Sequence, residues 1–225
     1  DRSPGSASLA VELNNRLTGL FEGELSFDEM TRGLYSTDAS IYQLKPLGVA
    51  FPRHAEDIAV AIKVAAEMNV AVLPRGAGTS LSGQSIGRGL ILDLSRHMRQ
   101  ILEIDTERRL ARIQPGVVLD ELNAVLRPLG LQFGPDVATS SRANLGGMIG
   151  NNSAGSRSVR MGKTIDHVRS LDLVLSDGTR LQTGPLSTEE LASLSRRDDR
   201  IGELHRRFCE LIESNQREIR RRYPR

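Results

Sequence analysis

"RGAGTSLSG", residues 75–83, sets three glycines, a threonine and two serines behind a single arginine. A glycine-rich turn can point successive main-chain N–H groups into one concavity, and such a nest takes phosphate oxygens without a lysine. Residues without bulk let the phosphate come close. The hydroxyls of Thr79, Ser80 and Ser82 add donors, and Arg75 adds a charge. A flexible surface turn is the plain alternative. The flanks favour the nest, because "VAVLP" (residues 70–74) reads as a short buried strand leading straight into the loop. "GLILDL" (residues 89–94) reads as the next strand.

Spacing excludes two familiar phosphate sites. The dinucleotide fingerprint needs G-x-G-x-x-G ahead of a helix, but Gly76 and Gly78 are followed by Leu81 where the third glycine belongs. The nucleotide-triphosphate loop needs G-x-x-x-x-G-K-[ST]. "GKT" at residues 162–164 has Arg157 in place of the earlier glycine.

The rest of the chain is that of an ordinary globular protein. Its 225 residues are 39% hydrophobic and 26% charged, and 30 Lys plus Arg against 28 Asp plus Glu give a net charge of +2. Such balance gives no electrostatic reason to expect nucleic acid. The single cysteine, Cys209, excludes an internal disulfide framework and points to a reducing, cytoplasmic compartment, with a peripheral place at the inner membrane as the alternative. No apolar run approaches the roughly 20 residues of a membrane-spanning helix. The chain begins without Met, as a fragment of a longer protein would.

Periodicity predicts alternating helices and strands. Residues 1–46 read as a wrapping segment with one helical stretch and then irregular chain. "EDIAVAIKVAAEMN" (residues 56–69) is predicted as a helix whose buried face is Ile58, Ile62, Ala65 and Ala66. Two strands, "QILEID" and "RLARIQPG", flank a charged turn, and "VVLDELNAVLRPLG" reads as a helix stopped by Pro128 and Gly130. "HVRSLDLVLSDGTRLQT" alternates Leu171, Leu173 and Leu175 and turns at Asp177-Gly178, a hairpin. The last helix is predicted to bury Ile201, Leu204, Phe208, Leu211, Ile212 and Ile219, with Cys209 as a small core residue. Arg217, Arg220, Arg221, Arg222 and Arg225 read as its solvated end. His54, His97, His167 and His205 have no metal spacing; only His167 lies in a glycine-rich region.

That region is "FGPDVATSSRANLGGMIGNNSAGSRSVRMGKTIDHV", residues 133–168. A polar tract of this length is too long for a simple connection. Its small residues would let backbone approach a flat ligand, and Asn144, Asn151 and Asn152 supply donors and acceptors. Two glycine-rich surfaces suggest an extended ligand, phosphate in one place and planar ring in another; tight loop packing without a ligand is the alternative.

These segments, with "FPRHAEDIAVAIKVAAEMNVAVLPRGAGTSLSGQSIGRGLILDLSRHM" and "LDLVLSDG", resemble the FAD-binding domain of the vanillyl-alcohol oxidase, or PCMH-type, flavoproteins. The likeness is greatest to the glycolate oxidase and D-lactate dehydrogenase branch. It runs from about Tyr35 to the end of the chain. It implies an α+β fold of two lobes, residues 47–98 and 99–225, with FAD in the cleft between them. By resemblance Arg75, Gly76, Ala77, Gly78, Thr79, Ser80 and Gly83 form the pyrophosphate loop, with Gln84 just beyond. Pro135, Asp136, Thr139 and Ser140 run beside the flavin. Asn144, Gly146, Gly147, Asn151, Asn152, Ala154 and Gly155 line the isoalloxazine and ribityl regions, and Gly162, Ile165 and Val168 reach toward the adenosine end.

Members with covalent flavin carry His in the loop where this chain has Thr79, so the resemblance implies non-covalent FAD. It further implies a D-2-hydroxyacid dehydrogenase that moves hydride from the substrate's alpha carbon to flavin N5. Electrons then pass to iron–sulfur centres, a quinone or a cytochrome. The cap that would hold a 2-hydroxyacid and the iron–sulfur cysteine runs are expected beyond this chain, so no residue here is assigned a catalytic or metal-binding role. A non-catalytic nucleotide-phosphate scaffold and an FAD alcohol or sugar oxidase are the alternatives.

Overall fold

The computed structural model describes residues 4–223; Arg225 lies outside them. The chain divides into two units. The first runs to Val168 and takes in Ser176–Gly178, and the second comprises Arg169–Leu175 and the chain from Thr179 onward.

The first unit opens with helix α1 (Pro4–Leu17), strand β1 (Glu24–Ser26), helix α2 (Glu29–Leu34) and strand β2 (Gly48–Phe51). β1 stands within the stretch whose spacing suggested a helix, and β2 begins where the sequence suggested irregular chain. β2 has the all-apolar character of a parallel strand covered on both faces, which gives no alternation to read; every residue of it is buried. Helix α3 (Ala55–Glu67) follows, then strands β3 (Val72–Arg75) and β4 (Leu90–Asp93). The sheet order is β1-β2-β4-β3, with β4 parallel to both β2 and β3.

A parallel neighbour requires the chain to cross from the end of one strand to the start of the next, usually through a helix. Here the crossover from β3 to β4 is the glycine loop itself. The first core packs Leu13, Leu17, Ala61, Val64, Leu90 and Leu92 between α1, α3 and one sheet face. α3 buries Asp57, Ala61, Val64 and Ala65. Its inward face is therefore turned from the predicted one, with Ile58 and Ile62 only partly covered. The register is fixed by Asp57, which is 1% exposed. Its carboxylate accepts the main-chain N–H of Glu22 at 2.7 Å and of Arg53 at 2.8 Å, so that position must face inward.

A second core lies beyond, in the same unit. Strands β5 (Ile101–Asp105) and β6 (Leu110–Ile113) form the expected antiparallel pair, and helix α4 (Leu119–Leu126) ends through a 3-10 turn at Gly130, φ +70°. Two short helices, α5 (Leu145–Gly150) and α6 (Ser158–Met161), interrupt the glycine-rich tract. The buried set is Val117, Leu119, Leu122, Leu126, Leu145 and Met148, so the apolar residues of α5 anchor the tract to this core.

The second unit holds the hairpin β7 (Leu171–Val174) and β8 (Arg180–Thr183), helix α7 (Thr188–Ser195) and helix α8 (Arg200–Arg222). α7 has 8 residues against 23 in α8 and cannot cover it. Phe208 is 62% exposed, Leu211 is 59% exposed and Cys209 is only half-buried, which corrects the expectation of a buried face there. Among the described residues no helix is long and apolar enough to cross a membrane.

Candidate functional site

The loop leaves β3 at Arg75, whose guanidinium is taken up by main-chain carbonyls. It donates to Ser85 O at 3.0 Å, Thr37 O at 2.9 Å and Tyr35 O at 3.3 Å, and lies 5.0 Å from the centre of the Tyr35 ring. Burial pulls its pKa below the usual arginine value, against the opposing effect of the Tyr35, Asp93 and Asp38 groups. Arg75 thus joins the two ends of the loop, from β3 across to Ser85. The sequence offered it as a charge for phosphate. Two of the three carbonyls that occupy it come from residues some forty positions earlier, which no local pattern could bring to it.

Glycine is required at two points on the loop. Gly78 has φ +67°, and a Cβ there would stand 2.6 Å from Arg75 Nη2; Gly83 has φ +78° and lies against the Tyr42 ring. The left-handed backbone at both would cost an ordinary side chain about 1–2 kcal/mol. From Gly76 through Gln84 no main-chain N–H donates to a protein acceptor among the described residues. Gly76, Gly78, Thr79 and Ser80 are half-buried, whereas Ala77, Leu81, Ser82 and Gln84 are exposed. A row of unpaired donors on a loop pinned at both ends is what an anion with several oxygens requires.

The second tract comes against the first at three points. A Cβ on Gly76 would lie 2.7 Å from Asn144 Oδ1. Asn151 accepts from Gln84 Nε2 at 3.2 Å and donates to Ser80 Oγ at 3.4 Å. Asn144 and Asn151 bracket α5, so that helix lies beside the loop. Its glycines divide into two kinds. Gly146 packs on Pro115, 2.6 Å from where its Cβ would be, while Gly147 and Gly150 are exposed and meet nothing within 4 Å. These two, three residues apart, leave a bare strip of backbone on one helix face.

The remaining predicted residues mostly hold the tract together. Gly155 sits against Asp136, whose carbonyl oxygen would be 1.9 Å from an added Cβ. Asp136 accepts from Arg157 N and Nε and from Ser156 Oγ, each at 3.2 Å. Partial burial pushes its pKa up, but these donors prevail and hold it below the usual carboxylate value. Asn152, at φ +46°, accepts from Ile165 N at 3.0 Å, and Gly162, at φ +77°, packs on Asp166. Pro135 is buried and Val168 half-buried, while Thr139, Ala154 and Ile165 are exposed. Ser140 turns to α4, its hydroxyl 3.1 Å from Asp120. His167 is bonded to Met161 O at 2.7 Å, packs on Phe133, and so belongs to the tract's framework.

Sequence reasoning missed Tyr35, Asp38, Ser85 and Thr164. The first three hold the loop from outside. Thr164, fully buried, ties α6 back through Ser153 O at 2.7 Å. Each is a common residue in an ordinary context, and only its partners mark it.

The geometry admits a test for FAD. Its pyrophosphate carries acceptors only, and the loop offers unpaired donors. Its ring system is flat, and the Gly147–Gly150 strip is bare. Asn144 Oδ1 is buried without a hydrogen-bond partner, at the meeting point of the two tracts. Such an unsatisfied atom is rare in a folded interior and marks a place specialised for something other than packing. The residues present fit the group.

Residues 46–184 match the family described as FAD binding domain. Among curated proteins, the chain is 42% identical over 207 residues to a D-2-hydroxyglutarate dehydrogenase of Pseudomonas putida, covering 91% of this chain and 21% of that one. It is 37% identical over 175 residues to the glycolate oxidase subunit GlcD of Bacillus subtilis, covering 76% of this chain and 37% of that one. The chain therefore spans about a fifth of the length of the first of these relatives. Among solved structures, an alkyldihydroxyacetonephosphate synthase superposes with a TM-score of 0.69 at 23% identity, over 79% of this chain and 35% of that one. A xylooligosaccharide oxidase from Myceliophthora thermophila gives 0.66 at 24% identity, over 76% and 37%. These two likenesses establish the fold.

Proposed function

This chain belongs to the FAD binding domain family, and from that premise we propose that it is the flavin-holding part of an oxidoreductase acting on small D-2-hydroxyacids. The observation that carries the reading is the loop from Gly76 through Gln84. Its unpaired N–H groups are pinned at Arg75 and Ser85 and lie beside the bare strip of α5. Bound FAD supplies a hydride acceptor. The chain's own work is to bind and orient it.

In this assignment the loop amides, with Thr79 and Ser80 hydroxyls, hold the pyrophosphate. Gly147 and Gly150 let a planar ring approach the backbone, and Asn144 and Asn151 fix the spacing between the two tracts. Thr79 carries no imidazole to form a flavin bond, so the cofactor is held without a covalent link. The substrate class follows the relatives, of which one is named for D-2-hydroxyglutarate and another for glycolate. We take D-2-hydroxyglutarate as the first candidate because that relative is matched over more of this chain. The groups that hold substrate, and the quinone, cytochrome or iron–sulfur centre that receives electrons, belong to parts of such proteins that this chain does not span.

Titration of FAD into the purified chain, followed by quenching of flavin fluorescence and by melting temperature, tests the first half. Saturable binding with a raised melting temperature is expected; neither change would sink the assignment. For the second half, the full-length protein is assayed with D-2-hydroxyglutarate, D-lactate and glycolate and an artificial electron acceptor. Turnover of none of them removes the substrate class.

A further inference from the structure

Part of what holds the glycine loop in shape lies outside both the loop and the matched family region, in residues 35–42. Arg75 donates to Tyr35 O and Thr37 O, and Ala39 N donates to Gly78 O at 3.0 Å. Ser85 Oγ donates to Asp38 Oδ2 at 2.8 Å, and Asp38 Oδ1 accepts Ser40 N at 2.9 Å. Tyr42 lies against Gly83. The Tyr35 hydroxyl donates to Asp93 Oδ2, on the last residue of β4, while Asp93 Oδ1 accepts Ser95 N at 2.7 Å and Ser95 Oγ at 2.6 Å. Residues 35–42 therefore run along the whole loop, and they are anchored beneath it to the sheet.

This arrangement has a physical purpose only if the loop must be held while its own donors stay unused. An ordinary turn satisfies its amides internally. This one has its shape supplied by a neighbouring strap, and its N–H groups remain available. Holding donors in place before a ligand arrives removes ordering cost from binding.

We propose that residues 35–42, preceding the matched family region, are part of the cofactor site, and that Asp38 is a positioning residue whose bridge to Ser85 closes the neck of the phosphate loop. The inference rests on the FAD assignment above. Asp38 touches no cofactor in it. Its carboxylate grips Ser85, which is 8% exposed, and through Ser85 and Arg75 it fixes the two ends between which the amides are displayed. Loss of a hydrogen bond to a charged group at such a neck corresponds to roughly tenfold in affinity or more.

The test is FAD affinity set against the stability of the FAD-free chain. Asp38→Ala and Ser85→Ala are each expected to weaken FAD binding about tenfold, while the melting temperature of the FAD-free chain moves no more than in Arg108→Ala, a variant of the ion pair at the turn between β5 and β6. The double variant is expected to be no worse than the weaker-binding single variant, because both remove one bridge. A general structural role would give additive losses and a lowered melting temperature in step with affinity. Affinity within about twofold of the parent in both single variants, or additive losses, overturns the proposal. If the parent chain binds no FAD, the assignment above fails, and the strap is judged by amide exchange at Ala39. Faster exchange in Asp38→Ala supports the neck bridge, and unchanged exchange refutes it.

Discussion

The loop of residues 76–84 and the tract of residues 144–155 are both rich in glycine, yet glycine serves different ends in them. In the first loop the demand is conformational, since Gly78 and Gly83 adopt left-handed backbone that a β-carbon would strain. In the second the helical glycines have ordinary backbone and the demand is for space. Gly146 and Gly155 are squeezed by Pro115 and Asp136, whereas Gly147 and Gly150 are squeezed by nothing. The same residue type therefore builds a turn, allows two segments to touch, and leaves a helix face bare. Only the last is expected to matter more for ligand than for folding.

The sharpest way to break this division is Gly155→Ala. An added Cβ would lie 1.9 Å from a main-chain oxygen, which cannot swing aside as a side chain would. A loss of about 3 kcal/mol in urea unfolding is expected. A variant within about 0.5 kcal/mol of the parent would show that the Asp136 and Gly155 segments part freely and that the contact is not a constraint.

Gly147→Ala is the opposite case. The position is helical, exposed and open, so alanine should stabilise the FAD-free chain by about 0.5–1 kcal/mol. The same methyl would intrude on the strip proposed for the flat ring, and FAD affinity should fall severalfold. Equal FAD affinity, with the stability gain present, would remove the strip from the site and leave α5 as framework alone.

Acid gives the smallest and most graded effect. Asp136 within the second tract is held below the usual carboxylate pKa, burial raising it and its hydrogen bonds outweighing that. A carboxyl with a depressed folded pKa contributes stability that is complete above its unfolded value, near pH 4, and is lost as pH falls through the lower folded value. Unfolding midpoints measured from pH 5 to pH 3 should therefore fall more steeply for the parent than for Asp136→Asn. Parallel curves would show that Asp136 binds its proton equally in both states.

Much of this was legible along the chain. Strand β4, helix α4, the β5–β6 pair and the β7–β8 hairpin announce themselves through apolar periodicity and turn residues. The loop and the tract announce themselves through glycines that no helix or strand would favour. β2 was not legible, because "GVAF" is four residues covered on both faces and shows no alternation. The inward face of α3 was misjudged because a buried carboxylate, Asp57, took a place that hydropathy gives to isoleucine. Phe208 and Leu211 have the spacing of a buried face, but spacing cannot say whether a partner long enough to cover them exists.

Residue order alone establishes that a strand runs into a bare, hydroxyl-rich loop, that the loop is neither a dinucleotide fingerprint nor a nucleotide-triphosphate loop, and that a second glycine-rich tract accompanies it. These are local properties, set by which backbone conformations and approaches each residue permits. It takes the folded chain to bring Arg75 across the neck of the loop, to carry the second tract against the first at Asn144 and Asn151, and to lay residues 35–42 along the loop from outside. Those roles depend on which distant carbonyls and carboxylates arrive at a given donor, and the arrival is fixed by the mixed four-stranded sheet and by the packing of the cores.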